Sequence, residues 1–326
     1  MKDIGIDLGT ANVLVYEKGV GIILNEPTVI AIDQETKQIL AVGKDANKMI
    51  GRTPGKLKAI KPLKEGVIAD FEYTEEILFE FMTQLKRKGF NRPRILICCP
   101  ANITMVEKNA LKEVAERVGA KKVYIEEEPK VAAIGAGLKI EEPTGNMVVD
   151  IGGGTTDVAL LSLGGIVNSE SIKIAGNNFD YAIIEYIKNK YKLLIGEKTA
   201  EDIKIKIGNV YNPNKENIME IKGRDITTGL PSMIEINEEE IEEALLPLIK
   251  EIVKVVKKVL EKAPPELSAD IVDKGIVITG GGALLKGIAD IFEEELKVPI
   301  YIAESPLTCV AEGCGVMLQN LDIIDK

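Results

Sequence analysis

Histidine and tryptophan are both missing from this chain of 326 residues, and only four cysteines are present. Without an imidazole there can be no Ser-His-Asp or Cys-His centre, no histidine-ligated zinc and no histidine general base. Chemistry is left to carboxylates, lysines, hydroxyls and the backbone. Aromatic residues are scarce at 4%, too few for a base-stacking surface. A net charge of −10 gives the whole chain no attraction to nucleic acid or to an anionic membrane, so any such contact needs a local basic patch. Nucleic acid is therefore not an expected partner. No apolar run reaches the ~20 residues that span a bilayer, and the start, MKDIGIDLG, reads as a strand rather than a signal peptide. Cys98 and Cys99 are neighbours on one strand and point to opposite faces, and Cys309 and Cys314 do not form a CxxC. Four reduced thiols in a cytoplasmic protein are expected.

What is present is a soluble composition, 45% hydrophobic and 28% charged, at a length suited to roughly two or three domains. The strongest signal is an imperfect internal repeat. Asp3 to Tyr16 reads DIGIDLGTANVLVY, and Met147 to Leu161 reads MVVDIGGGTTDVALL. Each copy is an apolar strand ending in Asp (Asp7, Asp150), a Gly-containing turn with Thr (Thr10, Thr155) and a second apolar strand, hence two β-hairpins related by duplication. Further strands are expected at Thr28 to Ile32, Ile39 to Val42 and Arg94 to Cys99. Helical spacing predicts Glu75 to Lys88, with Thr74 as N-cap, and Thr104 to Val118, with Thr104 and Glu107 as a capping box and Val106 on the apolar face. In the second half the pattern predicts helices over Asn178 to Tyr191, Ala200 to Ile207 and Glu238 to Lys262, the last interrupted by Pro247. Strands are expected at Ile218 to Ile221, Met233 to Ile236 and Gly275 to Thr279. The last runs through Gly280, Gly281 and Gly282 into a helix from Ala283. The fold class is α/β, two comparable halves with mixed sheets and a ligand cleft between them.

Three glycine turns after apolar strands point to phosphate, because glycine lets backbone amides approach an anion closely. The glycines of the first two turns lead into strands, not helices, so neither a P-loop nor a dinucleotide GxGxxG is present. Asp7 and Asp150 suit a hydrated Mg²⁺, which prefers oxygen ligands beside nucleotide phosphates; the plainer alternative is that they cap turns. The Gly280 turn suits a phosphate or a stacked adenine.

DLGTANVLVY, EEPKVAAIGAGL, GNMVVDIGGGTTDVALLSLGGIV, IKIAG, IGEKTAEDIKIKIG, APPELSADIVDKGI and ITGGGALLKG resemble the successive signatures of the MreB bacterial actins, within the actin, Hsp70 and hexokinase superfamily, over nearly the whole chain. ANVL, LICCPANIT and VYIEEEPKVAAIGAGL are similar to the Mbl branch. The resemblance implies an actin-like duplicated fold. The first half would be residues 1–140, with a small insert at about 32–68 and with 305–326 packing back on it; the second would be 141–304, with an insert at about 177–240. It implies ATP or GTP with Mg²⁺. Asp7, Gly9, Thr10, Ala11 and Asn12 match the first phosphate loop, and Asp150, Gly152, Gly153, Gly154, Thr155 and Thr156 the second. Glu201 and Lys204 match the pair that grips the nucleoside, and Gly280, Gly281, Gly282 and Ala283 the adenosine turn. The i, i+3 spacing of Glu201 and Lys204 puts both on one helix face, which also fits an ordinary surface salt bridge. The hydrolytic residue falls at Glu128, with Glu127 as second choice; spacing alone reads Glu126 to Glu128 as a solvated acidic loop.

One basic segment stands out from the acidic background. Lys86, Arg87, Lys88, Arg92 and Arg94 surround Phe90 with no acid among them, a composition suited to an anionic lipid surface or to the C-terminus of a helix. In MreB proteins this loop contacts the membrane. The resemblance further implies self-assembly into paired protofilaments, paralogous MreB partners, the wall-elongation machinery (MreC, MreD and RodZ-like proteins) and a peripheral position on the inner face of the cell membrane. Two alternatives share the fold: a sugar kinase, which needs a catalytic Asp in a polar pocket, and a chaperone ATPase, which needs a peptide-binding domain beyond Lys326.

Overall fold

Two five-stranded mixed sheets carry the chain in the computed structural model, which describes residues 3–87, 92–100 and 103–321. The first runs in the order Lys122–Glu127, Arg94–Cys99, Ile4–Leu8, Asn12–Glu17, Gly21–Pro27. The second runs Ile300–Ile302, Ile276–Thr279, Asn146–Ile151, Thr156–Ser162, Gly165–Ile172. In each, an antiparallel meander of three strands is extended by two parallel strands on the side of its first strand. The duplication expected from the two Asp-ending strands therefore extends to whole sheets. The central strands Ile4–Leu8 and Asn146–Ile151 are buried nearly throughout, which is why they read as continuous apolar runs rather than alternating ones.

The last strand of each sheet leads into a helix, Glu128–Gly135 in one half and Cys309–Gln319 in the other, and these two helices pack on each other. Small residues permit it. A Cβ on Gly313 would lie 2.0 Å from the Val131 carbonyl oxygen, and one on Gly135 would lie 1.8 Å from that of Cys309. Cys309–Gln319 also packs on Ile4–Leu8, with the Cys98 and Cys314 sulfurs 3.1 Å apart beneath it.

The outer helices take their faces from sequence spacing. Glu238–Glu261 buries Ile241, Leu245, Ile249, Ile252, Val256 and Val259 against the second sheet, at ~1.5 to 3 kcal/mol for each full side chain. Met105–Arg117 carries the expected Thr104–Glu107 capping box, but Val106 is 78% exposed; it stands in the first turn, before the helix reaches the sheet. The Phe71–Arg87 helix begins one turn earlier than expected. Asp70 accepts the Tyr73 N–H at 3.1 Å, and the Thr74 hydroxyl donates to the Asp70 carbonyl at 2.7 Å. Thr74 thus back-bonds inside the helix, and Asp70 supplies the cap. The Gly280 turn enters the short 3₁₀ segment Gly281–Leu284, with the α-helix delayed to Ile288–Leu296.

Candidate functional site

The hairpin turns at Gly9 and Gly152 meet at the base of the cleft. Thr155 O accepts from the Gly152 N–H at 2.9 Å, which closes the second turn tightly. Thr28 braces the first from behind, its hydroxyl on the Gly9 carbonyl at 2.8 Å and its N–H on the Ala11 carbonyl at 2.9 Å. The turns approach so closely that a Cβ on Gly153 would lie 2.8 Å from that of Ala11, and one on Gly154 would lie 2.5 Å from Thr10 Oγ1. Over this junction folds the small hairpin Leu63–Lys64 and Val67–Ile68. Its Gly66 N–H donates to Thr10 Oγ1 at 3.2 Å, and Glu65 pairs with Lys173 of the second half at 2.9 Å. Nearby, Lys61 reaches Glu197 across the cleft at 3.0 Å. Two cavities remain beneath these crossings. One of about 270 Å³ is lined by Glu65, Gly154, Asn177 and Asp180, and one of about 100 Å³ by Ala11, Asn12, Asn47, Asp180 and Glu201.

Below the loops lies a cluster of carboxylates. Asp7 and Asp150 end their strands buried. Asp157, a member that sequence reasoning missed, is buried directly opposite Asp150 in the hairpin register, an arrangement of like charges that destabilises a sheet on its own. Burial pushes the Asp7 carboxyl up to about 7. Burial, reinforced by Asp157 and Asp7, does the same for Asp150. Glu128, first residue of its helix and partly buried, is driven well above the carboxylate range by burial and then by Asp150, Asp7 and Asp157. Its neighbours face elsewhere: Glu126 pairs with Lys130 at 3.3 Å and Glu127 with Lys108 at 3.6 Å. The segment is a strand end and a helix start, not a solvated loop.

A dication fits this donor set. Its charge would reverse the strain of crowded, buried carboxylates, and Asp7 and Asp150 offer the oxygen ligands that Mg²⁺ prefers. Among the described residues no group of three or more His, Cys, Asp or Glu side chains could hold an ion by itself, so most of its ligands would be water and phosphate. A pH dependence follows. Both Asp pKa values are raised above their unfolded value, so the folded state binds more protons between pH ~4 and ~7 and stability falls as pH rises through that window. The ligand-free protein is expected to melt several degrees lower at pH 8 than at pH 5.5, with Mg²⁺ and nucleotide removing most of the difference. Scanning calorimetry with and without both checks this; a melting temperature flat in pH contradicts the crowding.

The remaining expected residues are placed as follows. Thr156 is buried, with its hydroxyl on the Ile174 carbonyl at 2.7 Å. Glu201 faces the smaller cavity. Lys204 does not pair with it; its ammonium contacts Asp180 at 2.8 Å and donates to the Gly176 carbonyl at 3.2 Å. Gly280 (φ +78) presses on the second loop, where a Cβ would meet Asp150 Oδ1 and the Ile151 carbonyl at 2.4 Å each. Gly281, Gly282 and Ala283 form the 3₁₀ turn beyond it. In the basic segment, Lys88 and Phe90 lie outside the described residues, and Lys86 and Arg87 end a helix. Arg94 departs from expectation: its guanidinium grips Asp3 through two hydrogen bonds of 2.9 and 2.6 Å with 14% of the side chain exposed. It is engaged at the start of the first strand.

The sequence model of the family described as MreB/Mbl protein matches residues 1–326. The chain is 60% identical over 326 residues to the cell shape-determining protein Mbl of Bacillus subtilis (strain 168), covering 100% of this chain and 98% of that one. It is 50% identical over 328 residues to the cell shape-determining protein MreB of Escherichia coli (strain K12), covering 99% and 94%. Its structure superimposes on that of MreB5 of Spiroplasma citri bound to AMPPNP with a TM-score of 0.95, at 43% identity, covering 99% and 98%.

Proposed function

We propose, from the premise that this chain belongs to the MreB/Mbl protein family, that it is a cell shape-determining ATPase whose subunits assemble into filaments on the inner face of the cell membrane. The fold is actin-like, in two halves with mixed sheets flanked by helices. The observation that carries the reading is the placement of Glu128 among Asp7, Asp150 and Asp157, with the two glycine loops above them. The loops around Gly9–Asn12 and Gly152–Thr155 hold the phosphates of ATP. Asp7 and Asp150 would hold Mg²⁺, which would supply positive charge to offset that of the phosphates. Glu128 orients a water and takes its proton during attack on the terminal phosphate. AMPPNP in the related structure supports the nucleotide.

Self-assembly is supported by large apolar side chains left in water, among them Met105, Val106, Ile205 and Val272. The long Glu238–Glu261 helix does not contribute, because its apolar face is spent on the core. Paired protofilaments, paralogous MreB chains and the elongation proteins MreC, MreD and RodZ are the partners this reading implies. Among the described residues no helix is long and apolar enough to cross a membrane; on this reading, attachment falls to the basic segment. Phe90→Ser is expected to weaken binding of filaments to anionic liposomes at least tenfold, from the ~1.5 to 3 kcal/mol lost per inserted ring multiplied along a polymer, with ATP turnover intact. Flotation with liposomes reads it, and unchanged binding returns the segment to a charged helix end.

Sedimentation with ATP and Mg²⁺, with and without anionic liposomes, tests the whole reading. Pelleting polymer with phosphate release supports it; no polymer at any salt, with phosphate appearing on glucose or glycerol, makes the protein a sugar kinase.

A further inference from the structure

Outside the carboxylate cluster, a heavily hydrogen-bonded acid lies between the segments that follow the Glu201 helix and the Gly280 turn. Glu238 is the first residue of the Glu238–Glu261 helix and is 1% exposed. Its Oε2 accepts from Asn209 Nδ2 at 2.7 Å and from the Asn214 N–H at 2.8 Å. Its Oε1 accepts from Asn217 Nδ2 at 2.7 Å and Lys286 Nζ at 3.0 Å. Burial alone would raise this carboxyl, and the donors from Asn214, Asn209, Asn217 and Lys286 overcome it and hold it at about 2.

What these donors belong to gives the cluster its meaning. Asn209 stands two residues beyond the Glu197–Ile207 helix, which carries Glu201 and Lys204. Lys286 stands two residues beyond the Gly281–Leu284 turn. The two segments lie side by side: Asn209 and Lys286 form a parallel bridge, and the Val210 N–H donates to the Lys286 carbonyl at 2.9 Å. They are also pressed together. A Cβ on Gly208 would meet Leu285 Cδ1 at 2.9 Å, and one on Gly287 would meet Tyr211 Cβ at 2.6 Å. One buried carboxylate therefore ties together, just past their ends, the helix and the turn that the family resemblance assigns to the nucleoside.

We propose that Glu238 is a positioning residue that fixes the spacing of this helix and turn and so sets affinity for the adenosine end of the nucleotide, independently of its phosphates. It rests on the nucleotide site proposed above. Without the carboxylate the asparagine amides and the lysine lose their common acceptor, and the turn is free to shift against the helix within the limits of their backbone bridge.

The test uses Glu238→Gln and Lys286→Met in the full chain. The Lys286 side chain is 65% exposed, so its replacement leaves folding intact and decides the matter if the buried variant fails to fold. Calorimetric titration would measure ATP, ADP and inorganic tripolyphosphate, alongside steady-state turnover. In both variants Kd for ATP and ADP rises about tenfold, the equivalent of one charge-assisted hydrogen bond. Tripolyphosphate binding and kcat at saturating ATP stay at wild-type values, and Lys286→Arg restores affinity. Unchanged nucleotide Kd with a lowered melting temperature, or an equal loss for tripolyphosphate, overturns the proposal. A wild-type chain that binds neither ATP nor ADP overturns the nucleotide site itself.

Discussion

Glu128→Gln is expected to lower phosphate release from ATP by about 10²- to 10⁴-fold, the usual worth of a positioned general base, while ATP and ADP bind as in the wild type. The amide keeps the shape of the side chain and loses the ability to take a proton. Asp7 and Asp150 are untouched, so binding is expected to survive. The pH profile separates this from a general disturbance. With its carboxyl raised by burial and by Asp150, Asp7 and Asp157, wild-type turnover is expected to climb with pH as Glu128 ionises, and the Gln variant to lack that limb. Single-turnover phosphate release and nucleotide titration read both effects. Wild-type release in Glu128→Gln with loss in Glu127→Gln moves the role one residue back. Because Glu127 pairs with Lys108, that variant is expected to stay close to wild type.

The second large effect is on stability. Gly313→Ala places a methyl carbon 2.0 Å from the Val131 carbonyl oxygen, a backbone atom in the middle of another helix that cannot rotate aside. Overpacking of well-fitted sites costs ~1 to 3 kcal/mol, occasionally more, and backbone on backbone belongs at the upper end. At 2 to 4 °C per kcal/mol for chains of a few hundred residues, the melting temperature falls by about 10 °C. Gly55→Ala is the control. Nothing lies within 4 Å of its added carbon, so it stays within roughly 0.5 kcal/mol of the parent. Equal melting temperatures for the two variants would mean that the helix crossing is looser than its glycines require.

Legibility in the sequence followed the range of the forces involved. Strands ending in Asp, glycine turns and the Thr104–Glu107 box are written in neighbouring residues, and they led to the duplicated sheets and to both loops. Asp157 was missed although it lies seven residues from Asp150, because its facing depends on hairpin register, which the turn length sets. The Glu65–Gly66 strap over Thr10 joins residues 56 apart, and the Arg94–Asp3 pair joins residues 91 apart. No local pattern announces such partners. The Glu201–Lys204 spacing illustrates the same limit: helical geometry puts both on one face, and only the fold reveals Asp180 as the partner that takes the lysine. In the fold Glu128 is set apart from Glu126 and Glu127 by the carboxylates it joins and by the lysines that take the other two.

The joint between the halves has a mechanical meaning. Glu128 opens one of the two helices that cross at Gly135 and Gly313, so the proposed water-activating carboxylate sits on the pivot rather than on either arm. A small rotation of one half on the other would turn that helix and move its first residue against loops carried by both sheets. Any neighbouring subunit that bends the molecule would thereby set the clock of hydrolysis without touching the cleft.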